Sequence, residues 1–275
     1  LPLAPLKKDL LGYEMEAQQF NISQSVVVLY QMFLQFIQNL QDCSHQQNPT
    51  EMTGYYMDEE KTLKCFSGQA HKMTKRDINT FRLMLAVIYG KHDEAEMLVK
   101  ELEPFLSGDA FGPRGDLRLL STGLAAFQIH RHSKGKQKLR LLGMKILRKY
   151  KEQIKFGNPN AFPLYAMLEA EAFPSKKMYD SAIRSCARLG LVHYQALMCE
   201  QAAYHHLPKG CDEDDSQGWA QYYLSQAFGL YDSWGAAAKV KSLAEKFPEL
   251  LTSSHTKNQT GATAIKGRSR YSSKH

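Results

Sequence analysis

The chain has no long hydrophobic run. Hydrophobic residues make up 43% of its 275 positions, yet no stretch approaches the roughly 20 apolar residues that a membrane span needs. The opening LPLAPLKKDL is too short and too broken by proline to be a secretory signal. It begins at Leu with no initiator Met before it, which reads as a piece of a longer chain. Cysteine is sparse. Cys43, Cys65, Cys186, Cys199 and Cys211 are scattered and odd in number, and no C-x-x-C pair occurs. Neither a zinc site nor a disulfide framework is indicated, and the thiols read as free and mostly buried in a reducing compartment. Sustained apolar–polar alternation is missing too, which removes the signal for half-buried strands. No P-loop G-x-x-x-x-G-K-S/T, no kinase catalytic loop and no G-x-G-x-x-G is present, so no phosphate-cradling motif marks nucleotide chemistry. A strongly charged body is lacking as well. Of the net +7, five positive charges fall after Leu251, where there is no acid, and residues 1–251 keep only +2. That excludes a basic nucleic-acid surface on the folded part.

Helical periodicity is what fills the chain. Phe20, Val27, Tyr30, Leu34, Ile37 and Gln41 share one stripe, widened by Val26, Leu29, Phe33, Phe36 and Leu40, which predicts a helix over 17–41. The one β-branched run, VVVLY at 26–30, lies inside that stripe. Residues 1–16 read as an irregular lead-in. Asn48–Pro49 and Gly54 mark a loop over 42–58, followed by a helix of about ten residues from Asp58. Thr74 is a candidate cap for the next helix, which ends at Gly90, and 91–106 is its partner. GDAFGPRGD at 108–116 is a turn. Further helices are predicted over 117–131, 135–155, 161–172, 175–189, 192–206, 216–231 and 233–247. Ser233 would cap the last and Pro248 would stop it.

Four helix-to-helix crossings, ending at Ala95, Leu139, Ala182 and Ala227, lie 44, 43 and 45 residues apart. Two helices per unit at a fixed period is the signature of a helical repeat array. The fold expected is all-α, an α-solenoid of antiparallel, tetratricopeptide-like helix pairs over 17–251. An irregular bundle is the competing arrangement. The tail 252–275 is polar, basic and rich in Ser and Thr, so it buries too little apolar surface to order and is expected to be disordered.

The segment from Ser216 to Leu250 carries the most information. Trp219, Tyr222, Tyr223, Ala227, Leu230 and Tyr231 recur at helical spacing, as do Trp234, Ala237, Ala238, Lys241, Leu243 and Phe247, with the break between the two helices placed at Asp232–Ser233. YYLSQAFGLYDSWGAAAKVKSL resembles a pattern Y-L-x-x-A-x-x-x-Y-x-x-W-G-A-x-A-K-V-x-x-L. That pattern closes the helical repeat region of large multidomain signalling proteins of microbial eukaryotes. Tyr223, Leu224, Ala227, Tyr231, Trp234, Gly235, Ala236, Ala238, Lys239 and Val240 fall on it. Asn39, Leu40, Asn48, Pro49, Thr53 and Gly54 are similar to that family's segment running into N-P-x-x-L-T-G, with Met52 in place of the usual Leu. Asn158, Asn160, Leu168, Glu169, Ala170 and Glu171 resemble its N-x-N followed by L-L-E-A-E. The likeness spans most of residues 30–247. It implies a tetratricopeptide-like region behind protein-kinase-like and AAA-type ATPase modules, in relatives that carry a histidine kinase or nucleotide cyclase module. No such module follows the repeat here.

Reactive constellations are few. His130 and His132, two apart, diverge on a helix, as do Glu169 and Glu171. His205–His206 sit at a helix end, where a cation suits the dipole. His193 completes the second imidazole cluster. The acidic run Asp212–Asp215 precedes a helix and suits its free N–H groups. Cys186 and Cys199 lie on apolar faces and read as core. These readings give no catalytic residue, metal or cofactor. Tyr165, Tyr194, Tyr204, Tyr222 and Tyr223 are candidates to line a groove for a protein or peptide, or for upstream modules of the same chain. The tail is a candidate for weak contact with acidic surfaces. The expectation is therefore a non-catalytic scaffold for protein interaction or intramolecular regulation, intracellular and cytoplasmic. A stand-alone adaptor and a helical enzyme with an unrecognised site are the alternatives.

Overall fold

The computed structural model describes residues 2–42, 48–106, 113–133, 136–207 and 214–249. Among them every regular element is helical: α1 (Leu3–Gln19), α2 (Gln24–Gln41), α3 (Glu59–Lys64), α4 (Gly68–Tyr89), α5 (His92–Leu102), a 3-10 turn (Glu103–Phe105), α6 (Pro113–His132), α7 (Gln137–Lys155), α8 (Ala161–Ala172), α9 (Lys176–Arg188), α10 (Val192–His206), α11 (Asp214–Trp234) and α12 (Ala237–Lys246). The all-α expectation holds, and α8 and α10 have the predicted bounds. The tail expected to be disordered, most of the turn at 108–116, Asp212 and Glu213, Cys43 and Cys211 lie outside the described residues.

Three local readings are corrected. Residues 1–16 are not an irregular lead-in. Pro2 caps α1, Pro5 falls in its first turn where a missing N–H costs nothing, and Leu3, Leu10 and Ala17 are buried seven apart on one side. The helix expected over 17–41 is broken at Asn21, whose φ of 49° is left-handed, a conformation asparagine tolerates. Thr74 is a buried interior residue of α4, which starts six residues earlier at Gly68.

The hairpin break near the C-terminus also moves. Ser233 does not cap α12; it lies in α11 and its hydroxyl donates to the Leu230 carbonyl. The turn is made by Gly235 at φ 89°, with the Ala236 N–H donating back to the Tyr231 carbonyl at 3.0 Å. α4 ends the same way at Gly90, φ 68°, with the Lys91 N–H on the Ala86 carbonyl. Both are left-handed C-terminal stops that glycine adopts without steric cost.

Burial sorts the helices into two kinds. α8 buries Ala161, Pro163, Ala166, Met167, Leu168, Ala170 and Glu171, and α10 buries every residue from Ala196 to Ala203; eight consecutive positions cover all sides of a helix. α7 and α9 bury single stripes, Gly143, Ile146, Leu147, Tyr150 and Gln153 in one, and Tyr179, Ala182, Ser185 and Cys186 in the other. Consecutive helices from α4 to α12 pack on each other, and α4 also meets α6, as α6 meets α8. α12 then packs on α2 and α4. The first and last thirds of the chain are thus in direct contact.

The loop carrying Asn48–Pro49 is bolted down by side chains. Asn39, fully buried on α2, donates to the carbonyls of Pro49 and Glu51. Glu94 on α5 accepts from Asn48, from the Thr50 hydroxyl and from Arg82.

Trp234 ends α11 at 7% exposure, stacked on His193 of α10 with ring centroids 5.3 Å apart. Trp234→Ala is expected to cost about 3–5 kcal/mol in urea denaturation. Gly235→Val is expected to cost about 1–3 kcal/mol, through its positive φ rather than through crowding, since an added Cβ would meet its nearest neighbour, Leu3 Cβ, at an ordinary 3.8 Å. Burial holds the His193 pKa down at about 4. The folded state therefore favours the neutral ring, whose contribution is complete above pH 6.5 and is lost as pH falls towards 4. His193→Phe should flatten the acid limb of a stability–pH curve across that window.

Candidate functional site

Polar residues on otherwise apolar helix faces converge at the core. Lys239 on α12 and Glu200 on α10 are 3% and 2% exposed and form an ion pair at 2.7 Å. The Lys239 ammonium also donates to the Ile88 carbonyl at 2.5 Å, in the last turn of α4 where backbone carbonyls lack intrahelical partners. It lies 5.5–5.6 Å from the ring centres of Tyr231 and Tyr89. Glu200 further accepts from the hydroxyls of Tyr204 at 2.6 Å and Tyr231 at 2.9 Å. Burial first, and then the Glu200 carboxylate, push both phenols well above their ordinary pKa, so they stay protonated as donors.

A second network adjoins the first. Arg131 at the end of α6 donates to Glu171 of α8 at 2.5 Å, to the Tyr179 hydroxyl of α9 at 2.9 Å and to Gln201 of α10 at 3.2 Å. Burial lowers the Arg131 pKa, but the adjacent Glu171 carboxylate more than reverses this, and the guanidinium remains charged. As the sequence predicted, Glu169 and Glu171 point apart: Glu169 accepts from Tyr165, while Glu171 is buried on Arg131. Cys186 and Cys199 are buried free thiols, with burial pushing both up to about 12. Cys65 is a free thiol too, and it is exposed.

These networks floor a cavity of about 380 Å³. It opens where helices stop: Val87 and Gly90 end α4, Gln128, Arg131 and His132 end α6, Tyr204 and His205 end α10, and Lys246 and Phe247 end α12. His92, the first residue of α5, also lines the wall and packs tilted against His132, ring centroids 4.6 Å apart. Burial first, and then the neighbouring His132, Lys246 and Arg131, hold the His92 pKa below its ordinary value.

A second cavity, about 460 Å³, is an apolar cleft between the end of α7 and the end of α9. Ile154, Pro159, Phe162, Arg188 and Leu189 line it. Beside it Phe156 is 91% exposed, Phe162 53% and Leu189 54%.

No protein-family model, curated protein or solved structure matches the chain.

The groove tyrosines are dispersed. Tyr204 lines the polar cavity, while Tyr194, ten residues earlier on α10, lies about 15 Å away along the helix. There it packs on His193 at 4.0 Å. Tyr165 is hydrogen-bonded along its own helix to Glu169. Tyr222 is exposed on α11 beside Trp219, over whose ring the Lys176 ammonium sits at 4.0 Å. The motif residues behave otherwise: Tyr223, Ala227, Tyr231, Trp234, Ala238 and Lys239 are all buried. Sequence reading missed Glu200, Arg131, Gln128 and Lys246. For Gln128 the signal available was a polar residue between apolar neighbours, Phe127 and Ile129, whereas Arg131, between His130 and His132, and Glu200, beside Gln201, carry no such mark.

Removing one partner of the buried pair, as in Lys239→Met or Glu200→Leu, should cost about 3–5 kcal/mol. The double variant should cost at least about 1 kcal/mol less than the two singles added together. A double-mutant cycle in urea measures that difference.

Proposed function

We propose that the chain is a non-catalytic helical-repeat scaffold that holds a protein or peptide, either a separate partner or modules of the same polypeptide. The observation that carries this reading is the apolar cleft with Phe156, Phe162 and Leu189 exposed around it. Exposed aromatics gathered at a concavity are the ordinary anchor site of an interface. In this reading α4 to α11 stack as antiparallel pairs of an α-solenoid, and α12 folds back across the start of the array. The buried ion pairs act as rivets that keep the pairs in register. The resemblance of the Trp-Gly-Ala segment extends the reading: the scaffold would stand at the C-terminal end of a larger ATP-dependent signalling protein, acting in the cytoplasm. Among the described residues no helix is long and apolar enough to cross a membrane, which is compatible with that setting.

Photo-crosslinkers placed at Phe156 and Phe162 should capture a defined polypeptide. Phe156→Ser with Phe162→Ser should abolish capture without lowering the melting temperature by more than about 2 °C, since surface substitutions rarely cost more than about 0.5 kcal/mol. ATP hydrolysis by the purified chain would overturn the non-catalytic reading.

A further inference from the structure

We propose that the cavity at the ends of α4, α6, α10 and α12 binds a small molecule that presents a carboxylate or phosphate on an apolar or planar body. Gln128 lines the cavity at 3% exposure, and its side-chain Nε2 has no hydrogen-bond partner. A buried donor left unpaired costs about 1–3 kcal/mol, and an acceptor inside the cavity removes that cost.

Charge points the same way. Arg131 and Lys246 bring positive charge to the cavity, His92, His132 and His205 line it as imidazoles, and Glu200 is the one acid on its wall. Arg131 is already paired with Glu171 behind it, which leaves Lys246 as the cation with no carboxylate of its own. Glu200 already accepts from Lys239, Tyr204 and Tyr231, and it acts on Lys246 only through space. Among the described residues no carboxylate pairs with Lys246, whose ammonium donates only to the Tyr204 hydroxyl. Cations at helix C-termini also offset the dipoles there, and that accounts for part of the positive charge. It does not account for Gln128, which is neutral and gains nothing from a dipole.

Shape supplies the rest. A space of 380 Å³ is within the range of small-molecule sites. Tyr204 and Phe247, with ring centroids 5.8 Å apart, give it an apolar wall on which a flat body can lie. Arg131 is held rigid by Glu171, Tyr179 and Gln201, so it offers a fixed positive centre rather than a mobile arm.

The experiment uses the full chain and two probes, inorganic phosphate and benzoate. Each is titrated at ionic strength held constant with sodium chloride. Binding is followed by calorimetry and by the imidazole NMR signals of His92 and His132. The expected result is saturable binding of at least one probe, with the two imidazole midpoints raised by about half a pH unit or more as an anion arrives. A response to phosphate alone identifies a phosphate ester as the ligand class, and a response to benzoate alone identifies a carboxylate. Gln128→Leu and, at the exposed rim, Lys246→Met should each weaken the probe about tenfold, equivalent to about 1.4 kcal/mol, with no loss of melting temperature. Histidine signals that respond to neither probe beyond the chloride control would overturn the proposal. So would binding that survives undiminished in Lys246→Met, which folds independently of the cavity's interior.

Discussion

Lys239 ties α12 to the end of α4 and to the core of α10. A helix that stops inside a protein leaves its last carbonyls without partners, and α4 stops inside this one. The Lys239 ammonium meets the Ile88 carbonyl there, on a side chain 151 positions away in sequence. A charge so deeply buried is tolerated only when its counter-ion is buried with it, which fixes Glu200 opposite. Glu200 in turn requires donors for its remaining lone pairs, and Tyr204 and Tyr231 supply them. From one unsatisfied helix end follow an ion pair, two buried phenols and the relative positions of α4, α10, α11 and α12.

The same requirement explains why the polar residues gather where they do. Arg131 stands at the end of α6 as Lys239 stands at the end of α4, and each is matched by a carboxylate from an inner helix, Glu171 in one case and Glu200 in the other. Gln201 links the two pairs through α10. Ion pairs of this kind add little net stability compared with apolar packing, but a mispaired arrangement is heavily penalised. In a stack of similar helices, where an apolar stripe can slide by a turn at small cost, that penalty selects one register.

Much of this organisation is legible in the sequence. Helices α8 and α10 are read to the residue because Pro159 and Pro174 bracket the one, and Gly190 and Pro208 the other, in the sequence. The burial of Tyr223, Ala227, Tyr231 and Trp234 follows from their spacing. What fails to show is anything set by partners distant in the chain. α1 looks irregular because two prolines precede only sparse leucines, and its helix is fixed by packing against α2. The turn at Gly235 is masked by the capping potential of Ser233, and the left-handed glycine wins because its backbone closes two hydrogen bonds. Lys239 is singled out in the sequence only by its place on the Trp-Gly-Ala pattern, and its role follows from Ile88 and Glu200, which are distant in the chain. Tyr165, Tyr194, Tyr204 and Tyr222 look like one groove because ring content is visible in sequence, whereas the direction each ring faces is not.

Helices buried on every side have a consequence for recognition. An array whose inner helices left one face open would bind along that face. α10 has no such face, since Ala196 to Ala203 are all covered. In the proposed reading, contact with other molecules falls where helices end or where outer helices diverge. Those are the locations of the two cavities: the polar one at the last turns of α4, α6, α10 and α12, and the apolar one between the ends of α7 and α9. Their chemistry differs for a structural reason. Inner helices end against ion pairs that need polar surroundings, while α7 and α9, amphipathic and half outside, end in Phe156 and Leu189 with no layer left to cover them.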